Sequence, residues 1–324
     1  MKRSMLRAED VSKRYVLKDA VGRKAVLTAV DRVSLTVEEG ETLGIAGESG
    51  CGKSTLARIM AGLLAADAGS VSFEGVALAD LGPEGQRQFR RAVQMVFQDP
   101  FSSLNPRLRI GDAIAEPIHI HGLAPRAALR DATTALMAQV GLSADQYDRF
   151  PHEFSGGQRQ RIGIARALAA QPRLLLADEP VSSLDISIQA QIINLLQELK
   201  HRHGLTMAMI SHDLGVLRHV SDRIAVMYLG AVVEVAPTPE LFTSSRHPYT
   251  RLLLSAIPRI RREREAALTE PPGGDPPSPT ALPSGCRFHP RCPHAAERCR
   301  VEAPLLTDQG PGHRAACHFA SSLF

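Results

Sequence analysis

The octapeptide at residues 47–54 constrains the fold of this chain more than any other feature. It reads Gly-Glu-Ser-Gly-Cys-Gly-Lys-Ser, a match to the pattern G-x-x-x-x-G-K-S. Residues 42–46 before it have the apolar pattern of a buried strand, and residues 55–63 continue as a helix that ends near Gly62. A strand, a glycine-rich loop and a helix in this order are the context of a phosphate-binding loop. The sequence therefore predicts an α/β fold that binds a nucleotide at this loop.

Each part of the loop has a task in phosphate binding. The backbone N–H groups surround phosphate oxygens, the Lys53 ammonium reaches the β- and γ-phosphates, and the Ser54 hydroxyl is offered to Mg²⁺. Cys51 occupies a variable position of the motif, which favours simple packing for its side chain. We expect the following residues to contact the nucleotide: Gly47, Glu48, Ser49, Gly50, Cys51, Gly52, Lys53, Ser54 and Thr55.

A second glycine-rich turn lies further along the chain, just before a helix-like run at 159–170. This turn is Ser155-Gly156-Gly157-Gln158. A helix that starts at such a turn presents free N–H groups, and therefore forms a separate anion-binding site. One chain thus carries two phosphate-binding half-sites.

Two adjacent acids follow the hydrophobic strand predicted at 174–177. Side chains at the carboxyl end of a parallel strand face the ligand crevice, so Asp178 is placed to hold the Mg²⁺ shell and Glu179 to polarise an attacking water. The alternative is a solvated strand end, since acids are usually exposed. The four apolar residues before the pair, in a chain with a phosphate loop, favour the catalytic interpretation.

Composition excludes several classes of protein. Of the 324 residues 44% are hydrophobic, enough for a core, and the net charge is only +4 with scattered Lys and Arg, which indicates no nucleic-acid surface. No uncharged apolar run approaches the ~18 residues of a membrane span. The first ten residues have no apolar core, so they do not form a signal peptide. We expect a soluble, cytoplasmic chain that can dock on a membrane protein.

Together these motifs resemble those of the ATP-binding cassette (ABC) ATPases, in family order and spacing, from about residue 6 to 245. Phe154 stands where leucine is commoner in the signature motif, but it keeps an apolar anchor there. Beyond the phosphate loop (Walker A), the resemblance assigns Gln98 to the Q-loop, Ser155, Gly156, Gly157 and Gln158 to the signature motif, Asp178 and Glu179 to Walker B, Asp185 to the D-loop, His212 to the switch histidine and Tyr15 to the aromatic that stacks on adenine.

The resemblance implies a P-loop (RecA-like) nucleotide-binding domain with a mixed sheet. It places the ATPase domain at 1–250, a helical subdomain at about 99–168, and a C-terminal Cys-rich extension at 251–324 with a proline-rich linker at 271–283. ATP and Mg²⁺ are the implied cofactors. The resemblance implies that Glu179, His212 and Gln98 are catalytic and that Ser54, Gln98 and Asp178 bind Mg²⁺. The signature motif of one subunit is expected to close on the ATP held by another, in a head-to-tail dimer.

Four further strings resemble the ATPase subunits of oligopeptide and dipeptide importers: 98–107, 147–158, 247–250 and 285–293. This implies a subunit that powers peptide import from the cytoplasmic face of the inner membrane. Its partners would be a second ABC ATPase, giving a heterodimer, two membrane-spanning permease subunits and an extracytoplasmic solute-binding protein, with no nucleic acid.

Two other functions stay open. The same architecture can import nickel, glutathione or another small solute, because the ATPase never touches the cargo. A soluble ABC ATPase acting on nucleic acid or ribosomes is the rival from another class. That rival usually has a second cassette or a long coiled coil, and this sequence has neither.

Four cysteines fall within 286–317: Cys286, Cys292, Cys299 and Cys317. In a cytoplasmic protein such a cluster is more often a metal site than a set of disulfides. The spacings do not match the C-x₂-C pairs of zinc ribbons, whereas four thiolates suit an iron–sulfur cluster. The resemblance to peptide importers, some of which carry a [4Fe–4S] cluster here, favours that cofactor. Zinc and free thiols remain alternatives.

Overall fold

Two β-sheets and the helices packed against them make up the part of the chain that the structure describes. The structure is a computed structural model, and it describes residues 3–18, 22, 24–99, 103–257 and 277–323. Part of the importer-like string (100–102) and part of the predicted proline-rich linker (271–276) lie outside the described residues. Within the described ranges, no helix is both long enough and apolar enough to cross a membrane.

The strands and helices are numbered in chain order. The strands are β1 (Ser4–Lys18), β2 (Lys24–Glu38), β3 (Thr42–Ala46), β4 (Ala68–Phe73), β5 (Val76–Ala77), β6 (Val93–Val96), β7 (Leu174–Asp178), β8 (Thr206–Ser211), β9 (Arg223–Tyr228), β10 (Ala231–Pro237), β11 (Thr307–Gly310) and β12 (His313–Ala315). The α-helices are α1 (Lys53–Met60), α2 (Pro83–Ala92), α3 (Ile110–Ile120), α4 (Leu129–Gln139), α5 (Gly156–Ala169), α6 (Ile186–His203), α7 (Leu214–Val220), α8 (Thr238–Ser244), α9 (Pro248–Ser255) and α10 (Glu297–Val301).

The larger sheet has the order β11-β12-β10-β9-β3-β8-β7-β6. Its strands are parallel from β6 to β9 and antiparallel from β9 to β11, so the predicted mixed sheet is confirmed. All residues of β3, β7 and β8 are buried, as expected for strands covered on both faces. Because the carboxyl ends of β6, β7, β8 and β3 meet at one edge, the segments that follow these strands meet there too.

The smaller sheet, β2-β1-β4-β5, is antiparallel. The sequence predicts only short β-like runs before residue 45, but β1 and β2 each span 15 residues. Their pairing shifts register at several points, and Asp10 and Arg32 both have φ 49°. Such bulges break the in–out alternation of apolar residues. Long strands with bulges therefore lack the periodicity by which strands are recognised.

A group of helices, α3, α4 and α5, packs together beside the parallel sheet. The fully buried Ile114, Met137 and Ile162 form the centre of this packing. The prediction that this part of the chain is helical is confirmed, with a short 3₁₀ turn (Arg126–Ala128) before α4. The bounds of the helical subdomain, 99–168, remain a prediction.

The C-terminal residues from 277 onward continue the larger sheet. Strand β12 pairs with β10 through Glu234 and Ala315, and Phe288 is buried in the same core as Tyr228 and Tyr249. The predicted boundary at 250 therefore marks a change in composition, and the division into domains at that residue stays a prediction. The tail therefore lies against the larger sheet.

Candidate nucleotide-binding site

The phosphate loop connects β3 to α1, as predicted, and its shape depends on glycine. Gly52 has φ 104°, and a Cβ there would lie 1.9 Å from the carbonyl oxygen of Ala29. A Cβ on Gly47 would lie 2.3 Å from the carbonyl oxygen of Met227. Neither neighbour is a flexible side chain that could give way. These two positions of the motif therefore require glycine, because the backbone of another segment lies too close for a Cβ.

The ammonium of Lys53 is folded into this loop. Its Nζ donates hydrogen bonds to the carbonyl oxygens of Gly47 (2.8 Å) and Glu48 (2.9 Å), and lies 3.7 Å from Oε1 of Glu179. The residue is only 4% exposed. A buried cation is expensive unless it is paired, so this position holds a positive charge ready for anionic oxygens. Cys51 is buried beside it, which fits a packing role.

Ser54 and Asp178 bring together the oxygens expected for Mg²⁺. The Ser54 hydroxyl donates a 2.8 Å hydrogen bond to Oδ1 of Asp178. Burial raises the pKa of the Asp178 carboxyl, and the hydrogen bond from Ser54 opposes that rise. Hydroxyl and carboxylate oxygens are ligands that Mg²⁺ prefers, and a cation would favour the ionised form of Asp178. The residues fit this metal.

Glu179 lies at the centre of the predicted catalytic residues. Its Oε2 accepts a 3.2 Å hydrogen bond from Nε2 of Gln98 and lies 3.2 Å from Nδ1 of His212. These side chains come from the segments after β7, β6 and β8, which explains how residues far apart in sequence meet. Gln98 thus contacts Glu179 rather than Ser54 or Asp178, the other two predicted Mg²⁺ ligands.

The backbone of Glu179 is strained. Its φ is 44°, a left-handed conformation that a residue with a side chain rarely adopts, and its N–H donates a 3.0 Å hydrogen bond to the carbonyl of Ile210. Such a conformation has a free-energy cost of about 1–3 kcal/mol and persists where the surroundings impose it, often at functional sites. The strain aims the carboxylate of Glu179 at Lys53, Gln98 and His212.

The second glycine-rich turn is at the start of α5. Ser155 caps the helix, accepting from the N–H of Gln158 (3.4 Å), while the Gln158 side chain accepts from the N–H of Ser155 (3.0 Å). Phe154 is 4% exposed and buried in the core, as expected for an apolar anchor. Within the ranges that the structure describes, no hydrogen bond or ion pair joins residues 155–158 to the phosphate loop.

Sequence comparison decides the family. The profile of the ABC transporter family matches residues 30–182, and that of the oligopeptide/dipeptide transporter C-terminal region matches 233–299. The probable peptide ABC transporter ATP-binding protein y4tS of Sinorhizobium fredii is 48% identical over 320 residues, 98% of this chain and 90% of that protein. The oligopeptide transport ATP-binding protein AppF of Bacillus subtilis is 46% identical over 325 residues, 98% of each. This chain belongs to the ABC transporter family of ATP-binding subunits.

Solved ABC structures share the fold. The dimeric ATP-binding cassette MJ0796, bound to ADP and Pi, is similar with a TM-score of 0.64 at 30% identity, covering 72% of this chain and 99% of that one. CbiO1 of Clostridium perfringens, part of the transporter complex cbiONQ, has a TM-score of 0.63 at 26% identity, covering 74% and 91%. The predicted ABC ATPase fold, and ATP as its nucleotide, are confirmed.

Two other predicted ABC residues lie on the surface. Tyr15 on β1 is 36% exposed, with the amine of Lys13 5.9 Å from the centre of its ring. Asp185 precedes α6 and is exposed, and the next residue, Ile186, is 85% exposed. Exposed side chains at these positions are available to a nucleotide base or to a second chain.

The four C-terminal cysteines line one cavity of about 20 Å³. They form no disulfides. Burial raises the pKa of the Cys286 and Cys317 thiols, and that of Cys292 to about 11, with the neighbouring thiols adding to the shift. Among the described residues, however, no group of three or more Cys, His, Asp or Glu side chains could hold a metal ion. The four thiols line the same cavity, and the iron–sulfur cluster itself stays a prediction.

The sequence analysis missed two residues that hold the phosphate loop from outside. The hydroxyl oxygen of Tyr249 accepts a 2.9 Å hydrogen bond from the N–H of Glu48. The guanidinium of Arg291 lies 3.1–3.2 Å from the Glu48 carboxylate. Both belong to strings typical of peptide importers. Their partner lies some 200 residues away, 201 for Tyr249 and 243 for Arg291, so no local pattern could reveal the contact.

Proposed function

We propose that this chain is the ATP-hydrolysing subunit of an ABC importer for di- and oligopeptides. The observation that carries hydrolysis is the convergence of Gln98, His212 and Lys53 on the Glu179 carboxylate, at 3.2, 3.2 and 3.7 Å. The cargo class is supported by the match of residues 233–299 to the peptide-transporter C-terminal region and by relatives named for peptide transport.

In this proposal the loop residues 47–55 bind the phosphates of ATP. Lys53 neutralises phosphate charge, while Ser54, Asp178 and the amide oxygen of Gln98 would hold Mg²⁺; the amide nitrogen of Gln98 donates to Glu179. When bound, the metal neutralises charge that develops on the transferred phosphoryl group. Glu179 orients and deprotonates the attacking water, because its carboxylate lies within the nucleotide site, 3.7 Å from the ammonium of Lys53. His212 and Gln98 fix the position of that carboxylate through their hydrogen bonds. The exposed ring of Tyr15 stacks on adenine.

Two chains complete each site. We assign Ser155, Gly156, Gly157 and Gln158 to the ATP of a partner ATPase. They lie at a partly exposed helix start, and among the described residues no bond joins them to the phosphate loop of this chain. Asp185, beside the exposed Ile186, belongs to the same dimer surface. ATP closes the dimer, hydrolysis releases it, and this cycle drives the membrane partner. The partner is a second, different ABC ATPase.

The permease side of the complex requires a docking surface. A groove of about 640 Å³ lies between the parallel sheet and the helical group, and Phe97, Leu104 and Ile120 supply apolar walls. Arg87 and Arg90 add positive charge to its lining. We assign it to a short cytoplasmic segment of the two membrane-spanning subunits that carries apolar and acidic side chains. The chain then lies at the cytoplasmic face of the inner membrane, and an extracytoplasmic binding protein delivers the solute.

The C-terminal cysteines are assigned to a [4Fe–4S] cluster. Supporting this, Cys286, Cys292, Cys299 and Cys317 line the same small cavity, and four cysteine thiolates are the ligand set of such a cluster. Bound there, the cluster would supply an electron carrier and a cross-link for the tail. Anaerobic purification followed by iron and sulfide analysis and a visible spectrum tests the assignment. A colourless, iron-free protein would refute it.

Transport by the assembled complex tests the function. The chain, its partner ATPase, the permease subunits and the binding protein are reconstituted in vesicles, and uptake and ATPase activity are measured with dipeptides, oligopeptides, nickel and glutathione. Peptides are expected to stimulate both. If only nickel or glutathione stimulates uptake and ATPase activity, that solute is the cargo instead of peptides. Failure of the chain to associate with any membrane subunit would contradict its proposed role in an importer.

A further inference from the structure

Arg291, in the cysteine-bearing tail, contacts Glu48 of the phosphate loop. Its Nη1 donates to Oε1 and Oε2 of Glu48 at 3.2 and 3.1 Å, and its Nη2 donates to Oε1 at 3.2 Å. The Arg291 side chain is only 10% exposed. Arg291 ends the short 3₁₀ helix His289–Arg291, directly before Cys292. An arginine held on a carboxylate in this forked manner fixes geometry as well as charge. The tail is therefore tied to the loop that binds ATP.

A second contact holds the same loop residue by its backbone. The Glu48 N–H donates to the hydroxyl oxygen of Tyr249, a fully buried residue. The ring of Tyr249 packs against Tyr228 and Phe288, with centroids 4.5 and 5.5 Å away. Arg291 also donates to the hydroxyl of Tyr228, at 3.5 Å. Tyr249 thus holds the backbone of Glu48 and Arg291 holds its carboxylate, and both of these residues contact Tyr228.

Glu48 in turn leads to the phosphate-binding lysine. Its carbonyl oxygen accepts from Nζ of Lys53 at 2.9 Å, and from the N–H of Cys51 at 3.3 Å. A displacement of Glu48 would therefore move the groups that bind phosphate. Charge matters as well, because a carboxylate within a phosphate-binding loop repels ATP unless a cation neutralises it and turns it aside. Arg291 meets both needs.

We propose that Arg291 is a positioning residue for the phosphate loop, through which segment 286–292 of the tail sets the affinity for ATP. The proposal rests on the proposed role of residues 47–55. The cysteine-bearing tail is thereby connected to the nucleotide site. Cys286 and Cys292 are the two ends of the segment, and the N–H of His289 within it donates to the carbonyl of Cys286.

Equilibrium binding of a fluorescent ATP analogue to the full-length chain tests this role. Arg291→Gln should weaken ATP binding about tenfold, the effect of losing one charged hydrogen-bonded pair. Arg291→Lys keeps the charge but not the fork, and should weaken it about threefold. In the assembled transporter, KM for ATP should rise with kcat unchanged, since ground-state and transition-state binding are lost equally.

A double variant tests whether Arg291 acts by positioning Glu48 and neutralising its carboxylate, or whether its loss simply disrupts the fold. Glu48→Gln combined with Arg291→Gln removes the uncompensated carboxylate, so ATP should bind more tightly than to Arg291→Gln alone. The matched control is Arg298→Gln, which loses the exposed pair with Glu302 in the same tail and should bind ATP like the wild type. Thermal melting verifies that each variant is folded.

Lys53→Ala separates the two proposals. If Lys53→Ala binds ATP normally, the proposed nucleotide site is wrong. If Lys53→Ala loses ATP but Arg291→Gln keeps wild-type affinity, or the double variant is no tighter than Arg291→Gln, the role of Arg291 is overturned. Should Arg291→Gln fail to fold, Arg291→Lys carries the test, and unchanged ATP affinity in that variant contradicts the proposal.

Discussion

The Ser54 hydroxyl lies 2.8 Å from Oδ1 of Asp178, although the two residues are separated by 124 positions in the sequence. Ser54 follows β3 and Asp178 is the last residue of β7, and both strands pair with β8. The parallel sheet thus places a hydroxyl and a buried carboxyl side by side, next to the amine of Lys53. This is the arrangement on which metal-dependent ATP binding would depend.

Asp178→Asn should weaken ATP binding in the presence of Mg²⁺ by roughly 10–100-fold, because the amide lacks the charge that holds the cation. Binding measured in EDTA should change little, since Lys53 and the loop are intact. Titration of nucleotide with and without Mg²⁺ checks this. Equal losses under both conditions would show that Asp178 supports the loop structurally and does not act through the metal.

Ser155 can be tested with a pair of substitutions. Ser155→Ala removes the helix cap at an expected cost of about 1 kcal/mol of stability, whereas Ser155→Asp keeps a capping oxygen and adds negative charge. Neither should alter ATP binding to the isolated chain. In the assembled transporter, Ser155→Asp should abolish hydrolysis of the partner's ATP by repelling its phosphate. Full activity with Ser155→Asp would mean that this residue does not face a phosphate.

The buried His247 makes stability depend on pH. Burial lowers its pKa from 6.5 to about 4 in the folded protein, despite the opposing effect of Glu234. Below pH 6.5 the unfolded chain therefore binds a proton that the folded chain does not, so stability falls as the pH drops toward 4, by at most about 3 kcal/mol. Above pH 6.5 this residue has no effect.

His247→Asn provides the comparison for that prediction. The Nδ1 of His247 accepts a hydrogen bond from the N–H of Tyr249, and an asparagine oxygen can accept the same bond without titrating. Urea unfolding between pH 7.5 and 4.5 should show a flatter profile for the variant. Parallel profiles for variant and wild type would assign the acid sensitivity to other groups.

Local sequence patterns were enough to predict much of the site. The phosphate loop has its own glycine spacing between an apolar strand and a helix, and the strand before Asp178 is wholly buried. Such features depend on neighbours in sequence, so periodicity reveals them. The strand bounds of β3, Thr42–Ala46, agree with the prediction.

Other features depend on contacts between distant residues. The bulges at Asp10 and Arg32 hide the length of β1 and β2, because they interrupt alternation. The pairing of β12 with β10 and the contact of Arg291 with Glu48 join segments that the sequence shows only as separate strings. Neither arises from a local preference. The sequence therefore predicts a C-terminal extension without showing its contacts to the phosphate loop and to β10.

Glu179→Gln tests the central claim most directly, that this chain hydrolyses ATP with Glu179 as the base. The measurement is steady-state ATPase activity of the assembled transporter whose partner ATPase site is inactivated, alongside ATP binding to the same variant. Binding should stay within about twofold of wild type, since Lys53, Ser54 and Asp178 are intact, while turnover falls by roughly 100-fold or more. Normal hydrolysis by the Glu179→Gln transporter would contradict the account.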